Sequence, residues 1–310
     1  MAEVKQFIFF DFEMLCSNRG MPFEEMQAIR LGAVKYELES EKITSFDRYI
    51  RPQEWKPLSR FCTELTGITD KDLVRAKDFK TVFTDFLTWV GGVKRSRFFS
   101  WSTSDLTRLK LDAERYDIAN GLIKKIEKRY VDFQAIFAKR AAKNQPSVEN
   151  ALRLYNLDFI GNPHNPMHDS YNTLRVYLNF LNKPEETDLI MLKQFIFRDE
   201  LPATDDLNCQ LKKQFRKDLN QLFADLHEIC RLKDAKQILK RTKRLVDKYE
   251  NIIINRSGLF SAEMVMYASL LARFYQDLVI TYEEHFSHSS KVMILDEHII
   301  KPIKQLTVSI

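Results

Sequence analysis

Asp11, Glu13, Asp105, His164 and Asp169 are the residues of this chain whose types and contexts could do chemistry together. Asp11 and Glu13 lie two apart in the run Phe9-Phe10-Asp11-Phe12-Glu13. On a strand, residues i and i+2 share a face, so the two carboxylates point the same way and Phe12 points the other. Two like charges on one side of an apolar strand repel each other and are costly to bury. A divalent cation resolves the conflict, and hard oxygen donors suit Mg²⁺ or Mn²⁺. Taken alone, the pair also reads as two solvated groups at a strand end, because motifs this short recur by accident.

Asp105 follows the apolar stretch Phe98-Phe99-Ser100-Trp101 at the opening of a helix. There a lone carboxylate could be nothing more than a cap or a dipole partner. Its position gives it weight, because ligands in α/β proteins sit where strand ends face helix starts. His164 lies between Pro163 and Pro166, and so in a loop, while Asp169 falls in the first turn of the helix that follows. A mobile histidine beside a fixed carboxylate suits a general base next to a metal ligand, imidazole being the side chain that changes protonation near neutral pH. His168 competes for that role, but its place on the helix favours a supporting one. In phosphodiester hydrolysis two metals about 3.5–4 Å apart activate the attacking water and steady the leaving oxygen. Four carboxylates with two divalent cations make a roughly neutral cage before phosphate arrives. Carboxylates dispersed over several elements are what such a cage requires.

The elements that would position these residues form a mixed α/β pattern. Val4 to Met14, Ala28 to Leu38 and Ile43 to Ile50 read as three strands able to pair as an antiparallel meander. Leu58 to Leu65 reads as a short helix stopped near Gly67. Phe79, Val82, Phe83, Phe86, Leu87 and Val90 mark an amphipathic helix closed by Gly91-Gly92. Arg97 to Trp101 and Tyr130 to Phe133 read as strands. Ser102-Thr103-Ser104-Asp105 starts a helix, and Phe133 to Ala142, Val148 to Tyr155 and Pro166 to Leu181 read as three more. A meander followed by alternating helices and strands predicts a mixed sheet with helices on its faces.

Strand signals fade after about residue 183. Lys183 to Asp188 reads as a linker, which divides the chain into domains at 1–184 and 185–310. Leu207 to Leu232, Asp234 to Ile254, Ala262 to Phe286 and Met293 to Leu306 read as helices of an all-α bundle. At 310 residues, 45% hydrophobic and 29% charged, the composition is that of a soluble globular protein. A net charge of +5 is compatible with a polyanionic partner. Cys16, Cys62, Cys209 and Cys230 show no paired spacing, so buried reduced thiols are expected rather than a zinc site or disulfide framework. Met1 to Gln6 does not read as a signal peptide, no apolar run approaches a membrane helix, and the expected compartment is the cytoplasm.

Over about residues 5–182 the chain resembles the DEDD exonuclease superfamily, named for its four acidic metal ligands, in the subclass with a histidine base. Phe9-Asp11-Phe12-Glu13 is similar to its first motif and Trp101-Ser102-Thr103-Ser104-Asp105 to its second. Pro163-His164 through Asp169-Ser170 and Asn172 is similar to its third. Arg51-Pro52, Pro57-Leu58-Ser59, Phe61-Cys62 and Leu65-Thr66-Gly67-Ile68-Thr69 resemble the segment of the Eri-1-like and bacterial KapD-like branch that joins the first two motifs. The sister subclass would place Tyr where this chain has Asn165. The resemblance implies a ribonuclease-H-like fold with a five-stranded mixed sheet. It implies Asp11, Glu13, Asp105 and Asp169 as ligands of two Mg²⁺ or Mn²⁺ ions and His164 as the base. It further implies hydrolysis from a 3′ end to nucleoside 5′-monophosphates, with RNA favoured over DNA. Met14, Leu65, Thr66 and Trp101 are the expected substrate-binding positions. The chain departs from the pattern at His168, where those relatives often carry aspartate, and at Met14, where a small residue is commoner.

No resemblance covers the region after residue 184. Lys212-Lys213, Arg216-Lys217, Lys236, Lys240-Arg241, Lys243-Arg244 and Lys248 are basic, but Asp218, Asp225, Asp234 and Asp247 are interspersed, so a solvated helix face is the plain reading. Lys236, Lys240, Lys243 and Arg244 share helical spacing and could bind phosphates. Phe260, Met264, Met266, Leu270, Leu271 and Phe274 read as core, or as a contact for a protein partner or a second copy. Two functions from different classes follow: a metal-dependent 3′–5′ exonuclease acting on single-stranded RNA or DNA 3′ ends, and a nuclease-fold binding or regulatory module without activity. The complete set of five residues favours the first.

Overall fold

The computed structural model describes residues 3–54, 56–198, 200–224, 226 and 228–308, so that Met1, Ala2 and Asp225 lie outside the described residues. The chain divides into two compact units, Met1–Lys139 with Asn144–Asn182, and Arg140–Lys143 with Lys183–Ile310.

The first unit is built on a mixed sheet. Its strands are β1 (Gln6–Met14), β2 (Ala28–Glu37), β3 (Ile43–Arg51), β4 (Lys77–Asp78), β5 (Ser96–Ser100) and β6 (Tyr130–Asp132), in the order β4-β3-β2-β1-β5-β6. β1, β2 and β3 form the antiparallel meander, and β5 and β6 run parallel to β1. The five expected strands are present, and β4 adds a sixth at the edge. It has two residues, too short for a period-two signal, and its Asp78 doubles as the N-cap of the next helix, accepting from Thr81 N at 2.8 Å.

The helices of this unit are α1 (Arg60–Thr66), α2 (Asp70–Val74), α3 (Phe79–Val90), α4 (Thr103–Arg115), α5 (Asn120–Glu127), α6 (Phe133–Arg140), α7 (Val148–Leu154) and α8 (Pro166–Asn182). The alternation of β1 gives the sheet two unlike faces. Ile8, Phe10 and Phe12 enter one core with the apolar stripes of α3, α4 and α5. Phe7 and Phe9 face the other way and meet Phe99 of β5 and Tyr177 of α8, with the Phe9 and Phe99 rings stacked at 4.7 Å. The same strand face continues to Asp11 and Glu13, and the same helix face, stepping back by four from Tyr177 through Thr173, continues to Asp169. One contact surface is thus aromatic at one end and acidic at the other.

Gly32 makes that contact possible. It lies opposite Asp11 in the β1–β2 register. A Cβ there would stand 2.0 Å from the backbone nitrogen of Met167 and 2.2 Å from the carbonyl carbon of Pro166. The first turn of α8 therefore rests directly on β2, and Ser170 Oγ donates to the Gly32 carbonyl at 3.2 Å. α4 is fastened separately. Its buried Arg108 donates to the carbonyls of Phe23 and Met26 and to Asp112, while Asp112 accepts from Ala28 N at 3.0 Å.

The second unit contains α9 (Pro184–Phe195), α10 (Leu207–Phe223), α11 (Leu232–Tyr249), α12 (Ala262–Ser287) and α13 (Glu297–Val308), plus a strand pair, β7 (Ile229–Arg231) with β8 (Val292–Ile294). Three details differ from the sequence reading. Lys183 to Asp188 is no linker: Pro184 takes the first helical position, Glu185 and Glu186 suit the positive end of the dipole, and Met191 and Leu192 pull α9 into the core. The helix expected over Leu207 to Leu232 ends at Phe223, Leu232 opens α11 instead, and Met293 lies in β8. Met266 is 49% exposed, whereas Phe260, Met264, Leu271 and Phe274 are core. The cysteines are free, but only Cys62 is buried and Cys209 is exposed. Among the described residues no helix is long and apolar enough to cross a membrane.

Gly32→Ala tests the close approach. Forcing a methyl group against the α8 backbone is expected to cost about 1–3 kcal/mol, read as a lower urea midpoint. A variant as stable as the wild type would show that β2 and α8 do not meet as described.

Candidate active site

Asp11, Glu13 and Asp169 offer carboxylate oxygens that all lie within 4.8 Å of one another. Two come from one face of β1. The third comes from the first turn of α8, whose entry Asn165 fixes. The Asn165 side-chain oxygen accepts from the amides of Met167 and His168 at 3.2 and 3.3 Å, and its carbonyl accepts from Asp169 N at 2.9 Å.

Asp105 reaches the site from the other side of β1. Ser102 caps α4, which puts Asp105 in its first turn. Pairing between β1 and β5 ends at Phe9 and Phe99, so β1 runs on with amides free on that edge. The Phe12 amide donates to Asp105 Oδ1 at 3.1 Å. Asp105 is 3% exposed, whereas Asp11, Glu13 and Asp169 are partly open to a cavity of about 400 Å³.

His164 lines the same cavity. It is exposed, with a backbone φ of +61° in the left-handed region. His168 is committed elsewhere. Its Nδ1 accepts from Asn162 N at 3.0 Å, and its ring fills the place where a side chain on Gly161 would stand.

Met14 and Trp101 line the cavity too. The Trp101 indole is held by a hydrogen bond from Nε1 to the Pro146 carbonyl at 2.8 Å and by edge contact with Phe133. Leu65 and Thr66 are not brought to the cavity. Thr66 is buried, with its hydroxyl donating to the Cys62 carbonyl and accepting from Ile68 N as α1 closes, and Leu65 is 38% exposed on that helix. Ser104, Glu149, Phe159 and Thr173 also line the cavity without having stood out in the sequence. Gly32 had a usable signal, a lone glycine inside an apolar strand, which marks a close backbone approach. The Phe12 amide had none, because a backbone donor leaves no trace in residue type.

Residues 8–177, more than half of the chain, match the RNase T exonuclease family, and the chain belongs to that family. ERI1 exoribonuclease 2 of Danio rerio is 27% identical over 190 residues, covering 54% of this chain and 33% of that protein. The 3′-5′ exoribonuclease 1 of Rattus norvegicus is 26% identical over 187 residues, covering 55% of this chain and 51% of that one. The chain thus spans about a third of the first of these relatives and about half of the second. The crystallographic structure of the nuclease domain of 3′hExo, a DEDDh family member, bound to rAMP, shares the fold. Its TM-score is 0.54 at 22% identity, with 60% of this chain and 96% of that one covered.

Burial raises all four carboxyl groups, and Asp11 and Glu13 are raised further by their acidic neighbours. Burial, then Asp105, Asp169 and Glu13, hold the Asp11 carboxyl well above the usual range. Glu13 is pushed up to about 8 by burial and by Asp169 and Asp105, against the pull of Arg30 across the β1–β2 ladder. Burial lifts Asp105 to about 7 despite the Phe12 amide and the Asp11 hydrogen bond. Burial likewise lifts Asp169 to about 7 against the His164 amide. This donor set fits divalent cations: it is all-oxygen, convergent, and short of positive charge.

A pH dependence of stability follows. Free carboxylates titrate near ~4, so between about pH 4 and 8 the folded chain holds protons that the unfolded chain has released. Stability without metal therefore falls as pH rises through that window. In EDTA, Tm is expected to drop between about pH 5.5 and 8.5, and saturating Mn²⁺ to raise Tm more at the higher pH, where fewer protons compete. A metal-induced shift of equal size at both values would contradict this electrostatic description.

Proposed function

We propose that this chain is a metal-dependent 3′–5′ exonuclease that releases nucleoside 5′-monophosphates from single-stranded ends, acting on RNA in preference to DNA. The observation that carries this reading is the convergence of Asp11, Glu13 and Asp169 within 4.8 Å, with Asp105 clamped on the same strand and His164 on the cavity wall. The preference for RNA draws support from relatives named as exoribonucleases and from the structural relative bound to rAMP.

Asp11, Glu13, Asp105 and Asp169 would hold two Mg²⁺ or Mn²⁺ ions. When bound, such cations offset the phosphate charge and make water a better acid. His164 accepts the proton of the attacking water at an imidazole nitrogen, and its exposed position lets it pass that proton to solvent. The turn before α8 keeps His164 on the wall of the cavity that Asp169 also lines. Trp101, immobilised at its indole N–H, and Met14 offer apolar surface for the terminal base. The second reading, a binding module without activity, fares badly on electrostatics. Without a cation the four carboxyl groups offer a polyanion no positive charge, so the cluster would contribute nothing to a chain that only bound nucleic acid.

The test is release of mononucleotides from a 3′-labelled single strand with Mg²⁺ or Mn²⁺. EDTA and Asp11→Asn are expected to abolish release, and His164→Asn to slow it about 10²–10⁴-fold while metal binding, read calorimetrically, persists. Inert RNA and DNA ends with either metal would refute the enzyme. Matched DNA degraded as fast as RNA would refute the sugar preference alone.

A further inference from the structure

The second unit carries a cationic stripe that the family relationship, limited to residues 8–177, leaves unassigned. Between Arg231 and Lys248 the sequence places eight Lys or Arg residues against two Asp. Sequence alone leaves open whether the interspersed acids cancel this charge, and the structure sorts the pairs. Asp247 is engaged by Lys243. Asp218 of α10 is engaged by Lys248, by the Tyr249 hydroxyl at 2.7 Å and by Gln214. Asp234 sits in the first turn of α11, where a carboxylate complements the helix dipole.

Arg231 belongs to β7 and Arg241 donates to the Gln221 carbonyl at 3.0 Å, so Lys233, Lys236, Lys240 and Arg244 remain on α11. All four are exposed, and among the described residues none of their side chains has a hydrogen-bond or ion-pair partner. Their spacing of three, four and four places them on one line of α11. That line lies opposite the buried stripe of Ala235, Ile238, Thr242, Leu245 and Tyr249. At 1.5 Å per residue the line is about 16 Å long. At its C-terminal end Arg241, Arg244 and Lys248 line a shallow groove of about 240 Å³.

We propose that this face of α11 binds the phosphate backbone of a single nucleic acid strand, the class of substrate assigned above, and the inference rests on that assignment. Four unpaired cations in line, with no apolar side chain among them, match a uniform row of negative charge. They offer no aromatic stacking platform, and a row of cations aimed at phosphates gives a contact largely independent of sequence. It raises the affinity of the whole chain for long strands.

The test is fluorescence anisotropy of the full chain with a labelled single-stranded RNA of about 20 nucleotides, in EDTA, across a salt series. Replacing Lys233→Gln, Lys236→Gln, Lys240→Gln and Arg244→Gln together is expected to lower the slope of log affinity against log salt by about 3. Affinity near 0.15 M salt is expected to fall about 100-fold. Lys233→Arg, Lys236→Arg and Lys240→Arg together, which keep the charge, are expected to bind as the wild type does. If the quadruple variant has a lowered Tm, Lys240→Gln alone decides, with a slope lower by about 0.7. An unchanged slope in the glutamine variants overturns the proposal. So does an equal loss when Lys80, Lys124, Lys125 and Lys128 of the first unit are replaced by glutamine, since that reports overall charge rather than a site. Binding in EDTA needs no catalysis, so a wild type that binds through α11 yet cleaves nothing would sink the exonuclease reading and leave this one standing.

Discussion

The mutual repulsion of four carboxylates gathered on one end of a buried strand is the constraint around which the first unit is built. Left to themselves these groups would turn toward water. They are held because each is attached to something that cannot move. Asp11 and Glu13 are fixed by the alternation of β1, whose opposite face is locked into the core through Ile8, Phe10 and Phe12. Asp169 is fixed by the aromatic packing of Tyr177 on Phe7, Phe9 and Phe99, two helical turns away along α8. Apolar burial at one end of a rigid contact thus opposes electrostatic cost at the other.

Backbone geometry, rather than side-chain chemistry, sets the distances. The absence of a Cβ at Gly32 lets the entry of α8 touch β2 opposite Asp11. The end of β1–β5 pairing at Phe9 leaves the Phe12 amide to hold Asp105. The Asn165 cap fixes the start of α8 and so the height of Asp169 above the sheet. Arg108 and Asp112, buried in α4 beyond the site, tie the helix that carries Asp105 to the loop entering β2. A buried ion pair of this kind contributes little net stability, but losing one partner would leave a charge stranded, so it acts as a register pin.

The sequence made legible those parts of the site that rest on periodicity and punctuation. Asp11 and Glu13 share a face because strands repeat every two residues. Asp105 follows a serine-rich helix start, and His164 is bracketed by prolines that exclude regular structure. Contacts between elements distant in sequence stayed hidden. Nothing near Leu65 or Thr66 tells that α1 turns Thr66 inward onto its own backbone rather than to the cavity. Nothing in Lys77-Asp78 signals a strand, because a two-residue ladder is defined by its partner β3. The start of α9 was masked by its charges, which resemble a linker when read alone and a helix N-terminus when the buried Met191 and Leu192 are known.

The two histidines of the third motif show how position separates residues of one type. His168 is a helical residue whose Nδ1 lone pair is occupied by the Asn162 amide and whose ring fills the space beside Gly161. Moving it would uncap the loop that carries His164, so it acts as a support. His164 has the opposite character. Its backbone is held in a left-handed conformation, which costs a non-glycine residue of order 1 kcal/mol, yet among the described residues its ring has no hydrogen-bond partner. The surrounding turn therefore fixes where His164 sits and leaves its imidazole free to move. A proton acceptor in a hydrolytic site needs that combination, since it must first reach a water beside Asp169 and then release the proton to solvent. In the proposed reaction the fixed carboxylates would hold the cations that place the phosphate, and the free ring would need only to meet the attacking water there.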